Sequence, residues 1–230
     1  KYHKCLKKII RIALANEWLL KNPYENFKTG YKDTNRGYLT MEEIKRLEDK
    51  YFDIKRLEVV RDIFVFQIYT GLAYSDVSKL KKEDISIGID GNQWITIYRS
   101  KTNTRTSLPL LPKALEIIEK YRNNLEAEIK GTVFPISSNQ KMNAYLKEIA
   151  VLCKINKHLT THLARHTFAT TVTLTNGVPI ESVSAMLGHK SLKTTQIYSK
   201  IVDSKVSEDM SNLSLRISNK SKDISNASSG

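Results

Sequence analysis

The chain has 230 residues, of which 40% are hydrophobic and 27% are charged. This composition is typical of a globular protein with one sizeable core, and it excludes low-complexity and collagen-like chains. Lysine and arginine number 37 against 24 acidic residues, so the formal net charge is +13. Such a surplus favours a polyanionic partner such as nucleic acid, with a basic solvated surface that has no partner as the alternative.

Two cysteines, Cys5 and Cys153, lie far apart in the sequence. This usage favours a reducing cytoplasm over a disulfide framework, and no Cys-x-x-Cys pair offers a zinc site. We therefore expect neither a metal nor any other cofactor. No apolar run approaches the ~18 residues that a membrane-spanning helix needs, so we expect no membrane association.

The first 37 residues predict one helix and a linker. Apolar residues recur at helical spacing over 1–21, and Asn22-Pro23 should end the helix because a residue before proline is disfavoured in helical conformation. The polar stretch 28–37 is typical of a linker. Since the chain begins at Lys1 without a methionine, we expect it to be part of a longer protein.

A second group of elements begins near residue 40. Thr40 and Glu43 match a capping box, which predicts the start of a new domain. Residues 57–70 are strongly apolar and predict a buried helix that Gly71 ends. Ser75 is expected to cap a short helix that ends near Leu80.

Residues 84–110 change in character to β-branched and aromatic runs that are bounded by turn residues. They predict a small antiparallel sheet. After it the pattern is helical again, with segments at 113–129, 140–152, 161–175, 180–187, 191–199 and 203–213. The expected fold is therefore mainly α with a small antiparallel β-sheet (α+β). Residues 218–230 are rich in Ser, Asn and Lys, and are expected to be flexible or ordered only on a partner.

His162 and Arg165 are the first chemically suggestive pair. Their spacing of three residues on a predicted helix places both side chains on one face. Histidine exchanges protons near neutral pH, and the planar guanidinium of arginine matches phosphate oxygens. The pair alone is weak support for a site, because a structural histidine is the more common explanation of such a pair.

His189 and Tyr198 form the second suggestive group. Gly188 is expected to end one helix in the left-handed conformation and Ser191 to start the next, which leaves His189 in a turn with a free ring. Tyr198 follows nine residues later, at a position where a core tyrosine is also plausible.

The order and spacing of these residues resemble the carboxy-terminal signature of the tyrosine recombinases, which is His-x-x-Arg, then Leu-Gly-His, then Tyr nine residues after that histidine. Upstream, residues 70–77 (TGLAYSDV) resemble the family's first motif, and residues 98–102 (YRSKT) resemble the β-hairpin that carries its catalytic lysine. The likeness covers about residues 38–201 in the correct order. Within the family, the chain resembles integrases of bacterial conjugative or mobilisable transposons.

The resemblance implies a role for each matching residue. Tyr198 would attack the scissile phosphorus and form a 3′-phosphotyrosine, which keeps the bond energy so that rejoining needs no ATP. Arg165 and His189 would bind the non-bridging phosphate oxygens. His162 would assist removal of the tyrosine proton, and Lys101 would protonate the 5′-oxygen leaving group.

One position departs from the family's pattern. An arginine usually follows the leucine of Thr-Gly-Leu, and Ala73 stands there in this chain. The transposon integrases that the chain resembles share this loss. We hypothesise that Arg99 supplies the missing guanidinium, because alternation along a strand would point Arg99 and Lys101 to one face. The alternative is that Arg99 contacts the DNA backbone or is solvated.

Three further residues have expected roles. In the family an acid at the position of Asp76 holds neighbouring active-site groups, although the sequence alone also allows Asp76 to cap the helix near Ser75. Arg105 and Lys193 are candidate contacts to the DNA backbone.

The resemblance also implies an organisation and partners. We expect a C-terminal remnant of a core-binding DNA-clamp domain at 1–28, a linker at 29–37, the catalytic domain at 38–213 and a flexible tail at 214–230. The expected partners are double-stranded DNA attachment sites, further copies in a homo-tetramer with exchanged C-terminal tails, and accessory DNA-bending or directionality factors. The expected location is the nucleoid in the bacterial cytoplasm. Two alternatives stay open, a DNA-binding relic impaired by Ala73 and a topoisomerase-like DNA-relaxing enzyme.

Overall fold

The computed structural model describes residues 2–27, 37–201 and Met210. The chain divides into two compact units, residues 1–35 and residues 36–230. Among the described residues, no helix is both long and apolar enough to cross a membrane.

The first unit contains helix α1 (Tyr2–Ala15), which ends earlier than the sequence predicts. Glu17 adopts a left-handed conformation with φ 58°, and the Trp18 amide donates to the Ala13 carbonyl at 2.8 Å. This bond pattern is that of a Schellman termination, normally associated with glycine. The prediction that this helix runs to residue 21 was wrong because a non-glycine residue closes it earlier.

The second unit begins with three helices, of which α3 is largely buried. They are α2 (Met41–Asp49), α3 (Lys55–Thr70) and α4 (Tyr74–Val77). The capping box of Thr40 and Glu43 is present at the start of α2. Gly71 ends α3 with φ 65°, as predicted. Ser75 was predicted as a cap but lies inside α4, whose N-cap residue is Ala73.

The predicted sheet is present. Strands β1 (Ile85–Ile87), β2 (Gln93–Tyr98) and β3 (Arg105–Pro109) form an antiparallel sheet in that order. Ile95 and Leu108 are opposite each other and both are buried, so one face of the sheet covers the core. Because β2 pairs with β3 as far as Tyr98 and Arg105, residues 99–104 form the hairpin turn.

Helices follow the sheet, and the mainly helical fold with a small antiparallel sheet is confirmed. They are α5 (Pro112–Tyr121), α6 (Leu125–Ile129), α7 (Asn139–Leu152), α8 (Thr161–Thr167) and α9 (Ile180–Met186). The single helix predicted over 113–129 is two helices, because Asn124 caps a new one through a bond from the Ala127 amide to its side chain.

The helix predicted over 161–175 changes type after α8. Residues Phe168–Thr173 are π-helical and Leu174–Asn176 form a 3₁₀ turn. The Thr173 hydroxyl donates to the carbonyls of Phe168 and Ala169 at 3.0 and 2.8 Å. Hydroxyls that bind carbonyls of the preceding turn compete with regular helical bonding, and this run is rich in threonine.

The core contains a buried charge network beside α3. Arg61 donates to the Asp62 carboxylate at 2.6 Å and to the carbonyl of Leu47 at 2.7 Å, near the end of α2. The other Asp62 oxygen accepts from Lys120 at 2.7 Å and from the Tyr121 hydroxyl at 2.9 Å. Burial and the Asp62 carboxylate raise the pKa of Tyr121, so this hydroxyl remains a donor. The network ties α2, α3 and α5 together.

The segment predicted as a helix over 191–199 consists of the 3₁₀ turns Leu192–Thr194 and Gln196–Ile201. Of the helix predicted over 203–213, only Met210 is described. The expected tail at 214–230 lies outside the described residues.

Candidate active site

Arg165 lies at the centre of the candidate site, on α8. Thr160 caps this helix by accepting from the Leu163 amide at 3.2 Å. The Arg165 guanidinium donates through Nη1 to the carbonyl of Gly71 at 2.6 Å, and through Nη2 to that of Leu187 at 2.5 Å. Both carbonyls stand at helix ends, where main-chain oxygens lack partners and carry partial negative charge. Arg165 therefore joins the ends of α3 and α9 in the interior.

His189 reaches Arg165 because the chain turns sharply after α9. Gly188 has φ 60°, and the His189 amide donates to the Ser184 carbonyl at 3.0 Å, which closes the helix. The His189 Nε2 atom lies 3.1 Å from Nη2 of Arg165, and Nδ1 lies 2.8 Å from Oγ1 of Thr195. The ring is half-buried and bonded at both nitrogens, so the prediction of a free ring was wrong.

Tyr198 lies beside His189 in a small apolar cluster. Its ring is parallel to the His189 ring within 12°, with 6.4 Å between centroids. Only 4% of Tyr198 is exposed, and its neighbours in the cluster are Phe168, Ala169, Val183 and Leu187. The structure thus brings the predicted nucleophile, the histidine and the arginine into one place.

His162 is exposed on α8, and its Nε2 atom lies 3.0 Å from Nε2 of His166. The His166 ring in turn meets the Tyr198 ring edge-on, with 4.9 Å between centroids and an angle of 77°. His162 is therefore connected to the tyrosine through His166. Sequence reasoning gave His166 no role, although its spacing of four residues from His162 predicts contact on a helix.

Arg99 also enters the site. Its Nη1 atom donates to the Leu187 carbonyl at 3.0 Å, the same oxygen that accepts from Arg165. Its Nε atom lies 3.4 Å from Oδ2 of Asp76. The predicted reason for this placement was wrong, because Arg99 follows the last residue of β2 and Lys101 lies in the turn, where strand alternation does not operate.

Asp76 holds this turn and does not cap α4. Its Oδ1 atom accepts from the Ser100 amide at 2.9 Å, and no side chain caps α4. The Ser100 hydroxyl donates to the Ser75 carbonyl at 3.3 Å, which adds a second link between the hairpin turn and α4. These bonds fix the backbone next to Lys101, whose side chain is exposed.

The two residues that are predicted to contact the DNA backbone are exposed. Arg105 begins β3 opposite Tyr98, and Lys193 lies in the first 3₁₀ turn after Gly188. Both belong to segments that also carry site residues, since Arg99 precedes the strand of Arg105 and Thr195 follows Lys193.

The charges of the site shift two ionisation equilibria. Burial, with a smaller contribution from Arg99, lowers the pKa of Arg165 to about 10. Burial, followed by Arg165 and Arg99, lowers the pKa of His189 to about 4. At neutral pH the site therefore contains two guanidinium cations and a neutral imidazole. An oxyanion would relieve the repulsion between these cations.

Two other contacts were missing from the sequence analysis. Gly188 was predicted only as a helix end, yet a Cβ there would overlap Oγ1 of Thr106 and lie 2.6 Å from Cδ of Arg99. Thr195 has no predicted role, but it is fully buried and bonded to His189. The buried threonine beside an exposed one, Thr194, leaves no signal in the sequence.

Comparison with known proteins gives the family. The model of the phage integrase family matches residues 38–205. Tyrosine recombinase XerC of Pediococcus pentosaceus is 26% identical over 219 residues, which cover 88% of this chain and 71% of that protein. A tyrosine recombinase of Agathobacter rectalis is 31% identical over 160 residues, which cover 66% of this chain and 51% of that protein.

Solved structures share the fold. The XerH site-specific recombinase in a post-cleavage complex with a palindromic difH substrate matches with a TM-score of 0.63 and 20% identity, over 87% of this chain and 65% of that chain. The Tn1549 transposon integrase in complex with a circular intermediate DNA matches with a TM-score of 0.66 and 17% identity, over 85% of this chain and 72% of that one. From the family match and this shared fold we conclude that the chain belongs to the phage integrase family and is a tyrosine recombinase catalytic domain.

Proposed function

We propose that this domain cleaves and rejoins DNA at specific sites through a covalent 3′-phosphotyrosine on Tyr198, for the integration and excision of a mobile element. The observation that carries the proposal is the grouping of Arg165, Arg99 and His189 next to the Tyr198 ring. A phosphodiester gains negative charge on its non-bridging oxygens as a nucleophile attacks, and fixed cations stabilise that charge. The net charge of +13 favours the approach of DNA.

The phosphate clamp consists of Arg165 and Arg99 in this proposal. Ala73 cannot bind a phosphate, and Arg99 compensates from the hairpin because its guanidinium bonds the same Leu187 carbonyl as Arg165. Asp76 acts as a positioning residue that aims Arg99 and fixes the turn of Lys101. The planar guanidinium groups suit the paired oxygens of a phosphate.

Proton transfers fall to the remaining side chains. Tyrosine has a pKa of ~10 in water, so its attack near neutral pH needs a base or cationic neighbours. His162 accepts the tyrosine proton in this proposal. Its bond to His166 supports the role, because the His166 ring contacts the Tyr198 ring. Lys101 protonates the 5′-oxygen as it leaves, and its exposed place in the turn leaves it accessible to DNA. Because the phosphotyrosine keeps the energy of the broken bond, rejoining requires neither ATP nor a metal ion.

The organisation of the whole enzyme belongs to the same proposal. Residues 1–28 end a core-binding domain, 29–37 link it to the catalytic domain at 38–213, and 214–230 form a tail exchanged between copies of a tetramer. Arg105 and Lys193 contact the DNA backbone. Complexes of relatives with DNA, among them a lambda integrase dimer bound to a COC′ core site, support DNA as the partner. Accessory DNA-bending or directionality factors are further proposed partners, and the nucleoid in the bacterial cytoplasm is the proposed location.

Covalent trapping tests the proposal. Duplexes that bind are first selected from a random-sequence pool with the Tyr198→Phe chain, then nicked within the selected region so that the cleaved end is lost. The unmodified chain is expected to form a detergent-resistant protein–DNA adduct, and Tyr198→Phe to form none. Tyr51→Phe serves as the matched control because Tyr51 is 80% exposed and outside the site.

Two outcomes would contradict the proposal. Tight, selective DNA binding without an adduct would favour the relic alternative and implicate Ala73. An adduct that persists in Tyr198→Phe would place the nucleophile elsewhere. If the adduct forms, joining of two different duplexes at the selected site separates recombination from simple DNA relaxation.

A further inference from the structure

The protonation state of His189 follows from its two partners. A guanidinium nitrogen only donates, so Nε2 of His189, which lies 3.1 Å from Arg165 Nη2, must accept and carries no proton. The neutral ring then has its proton on Nδ1, and it donates this proton to Oγ1 of Thr195 at 2.8 Å. Burial and the cations of Arg165 and Arg99 hold the pKa of His189 at about 4, which keeps the ring neutral.

This tautomer conflicts with the role that the resemblance to the family implies for His189, which is to bind the phosphate. To donate a hydrogen bond to a phosphate bound by Arg165, the ring must carry its proton on Nε2, the nitrogen that faces the guanidinium. The Nδ1 atom cannot serve, because it faces Thr195, which is fully buried. The resting tautomer is therefore the one that cannot assist the reaction.

A hydroxyl group resolves the conflict because it both accepts and donates. We propose that Thr195 is a positioning residue that keeps His189 oriented in both of its tautomers. Without DNA the hydroxyl accepts from Nδ1–H. With a phosphate bound to Arg165, one proton leaves Nδ1 and one joins Nε2, both exchanged with solvent water, and the hydroxyl rotates to donate to Nδ1. The ring's charge does not change. This inference rests on the proposed function for the phosphate-bound state only.

Thr195 is also connected to the nucleophile. Its carbonyl accepts from the Tyr198 amide at 3.0 Å, and the Tyr198 ring is parallel to the His189 ring within 12°. The His189 ring contacts Arg165 from α8 and Thr195 and Tyr198 from the last turns, and the charge of Arg99 from the hairpin also acts on it. Thr195 is bonded to Nδ1, and its hydroxyl can act there as a donor or as an acceptor.

The first test measures the tautomer of His189 in a chain in which Thr195 is unchanged. Long-range ¹H–¹⁵N spectra of the ¹⁵N-histidine-labelled 230-residue chain, with His189 assigned by the His189→Asn variant, are expected to show protonated Nδ1 without DNA. Adding a duplex selected from a random pool to the Tyr198→Phe chain is expected to move the proton to Nε2. Protonated Nε2 in the DNA-free chain, or no change with bound DNA, would overturn the inference.

The second test separates hydrogen bonding from packing. Thr195→Val keeps the shape but removes the hydroxyl, and it is expected to slow adduct formation on the nicked duplex at least tenfold at saturating DNA, with affinity for DNA unchanged. Thr195→Ser should stay within about threefold of the unmodified chain. Thr194→Val is the matched control because Thr194 is exposed.

Each outcome is decisive. If Thr195→Val cleaves as fast as the unmodified chain, the hydroxyl is not needed. If Thr195→Ser cleaves as slowly as Thr195→Val, a hydroxyl at this position is not sufficient. Either result would show that the inference is wrong. If Thr195→Val does not fold, the spectra of the chain with Thr195 intact still decide. If no adduct forms even with the unmodified chain, the proposed function fails, whereas the tautomer of the DNA-free chain is measured independently.

Discussion

Asp76 and Arg99 form a buried ion pair, with 3.4 Å between Oδ2 and Nε and side-chain exposures of 1% and 10%. The carboxylate leaves the Nη1 atom of Arg99 directed at the Leu187 carbonyl, where Arg165 also donates. The pair thus brings a residue of the hairpin turn into the environment of α8. A second cation reaches the site from a position far in sequence from Ala73.

Replacement of Arg99 tests whether this second cation acts on the phosphate. Arg99→Ala is expected to slow single-turnover adduct formation by about 10²-fold, the typical cost of removing one donor to a developing oxyanion. Because the change also leaves the Asp76 carboxylate unpaired, thermal unfolding must be measured in parallel. Added methylguanidinium should restore part of the rate in Arg99→Ala.

Arg105→Ala provides the comparison for Arg99. Arg105 is exposed, so its loss should weaken DNA binding and reduce its salt dependence without a comparable effect on the rate at saturating DNA. A cleavage rate for Arg99→Ala within about threefold of the unmodified chain would show that Arg99 is not part of the phosphate clamp.

The role of Lys101 is testable through the leaving group. Lys101→Ala should slow cleavage of ordinary DNA by about 10²- to 10⁴-fold, the range for loss of a general acid. A substrate with sulfur in place of the 5′-bridging oxygen should be cleaved nearly as fast by Lys101→Ala as by the unmodified chain. The reason is that a thiol, with a pKa of ~8.5, leaves without protonation. Equal slowing on both substrates would assign Lys101 to DNA binding instead.

A side chain at position 188 should lower the free energy of unfolding. Gly188→Ala adds a Cβ that overlaps Thr106 Oγ1 and crowds Arg99 Cδ, and it also places alanine at φ 60°. Gly131→Ala is the matched control, since Gly131 has φ 65° and nothing within 4 Å of the added Cβ. Both variants share the backbone strain, so Gly188→Ala should lower the free energy of unfolding by a further ~1–3 kcal/mol. Equal losses in urea titrations would mean that the crowding is relieved by movement.

The pH dependence of stability should report on His189. Its pKa is lowered to about 4 in the folded chain, from an ordinary value near 6.5. Between these pH values the unfolded chain binds a proton that the folded chain does not. Stability is therefore lost as the pH falls from about 6.5 to 4, and His189→Asn should show a smaller loss over this window. Identical pH profiles in urea unfolding would indicate that the folded ring titrates normally.

The sequence predicted the sheet, the capping box at Thr40 and the end of α3 at Gly71 correctly, because each depends on local residue preferences. It failed where one residue's surroundings decided the outcome. The end of α1 depends on Glu17 in a left-handed conformation, and the π-helical run after α8 depends on threonine hydroxyls that bind carbonyls. Neither feature has a pattern that distinguishes it from a continuing helix.

The site shows the same division. The spacing of Arg165, His189 and Tyr198 was readable because the family's motif is a linear pattern. Thr195 was not, because its importance comes from the group that it faces after folding. His166 was overlooked, although its spacing of four residues from His162 predicts their contact. Arg99 was placed correctly beside the site for an incorrect reason, since the carboxylate of Asp76 and not strand alternation directs it.

The anchors of Arg165 are main-chain oxygens, those of Gly71 and Leu187. No side-chain replacement deletes a carbonyl, so single substitutions at these positions change the grip on the arginine only by redirecting the backbone. A comparison of aligned residue types does not record a contact of this kind, because the contact is made by the main chain. Gly71 and Gly188 both have positive φ and lie at the helix ends that supply these two carbonyls. Searches for distant relatives should therefore weight the glycines at these helix ends alongside the proposed catalytic side chains.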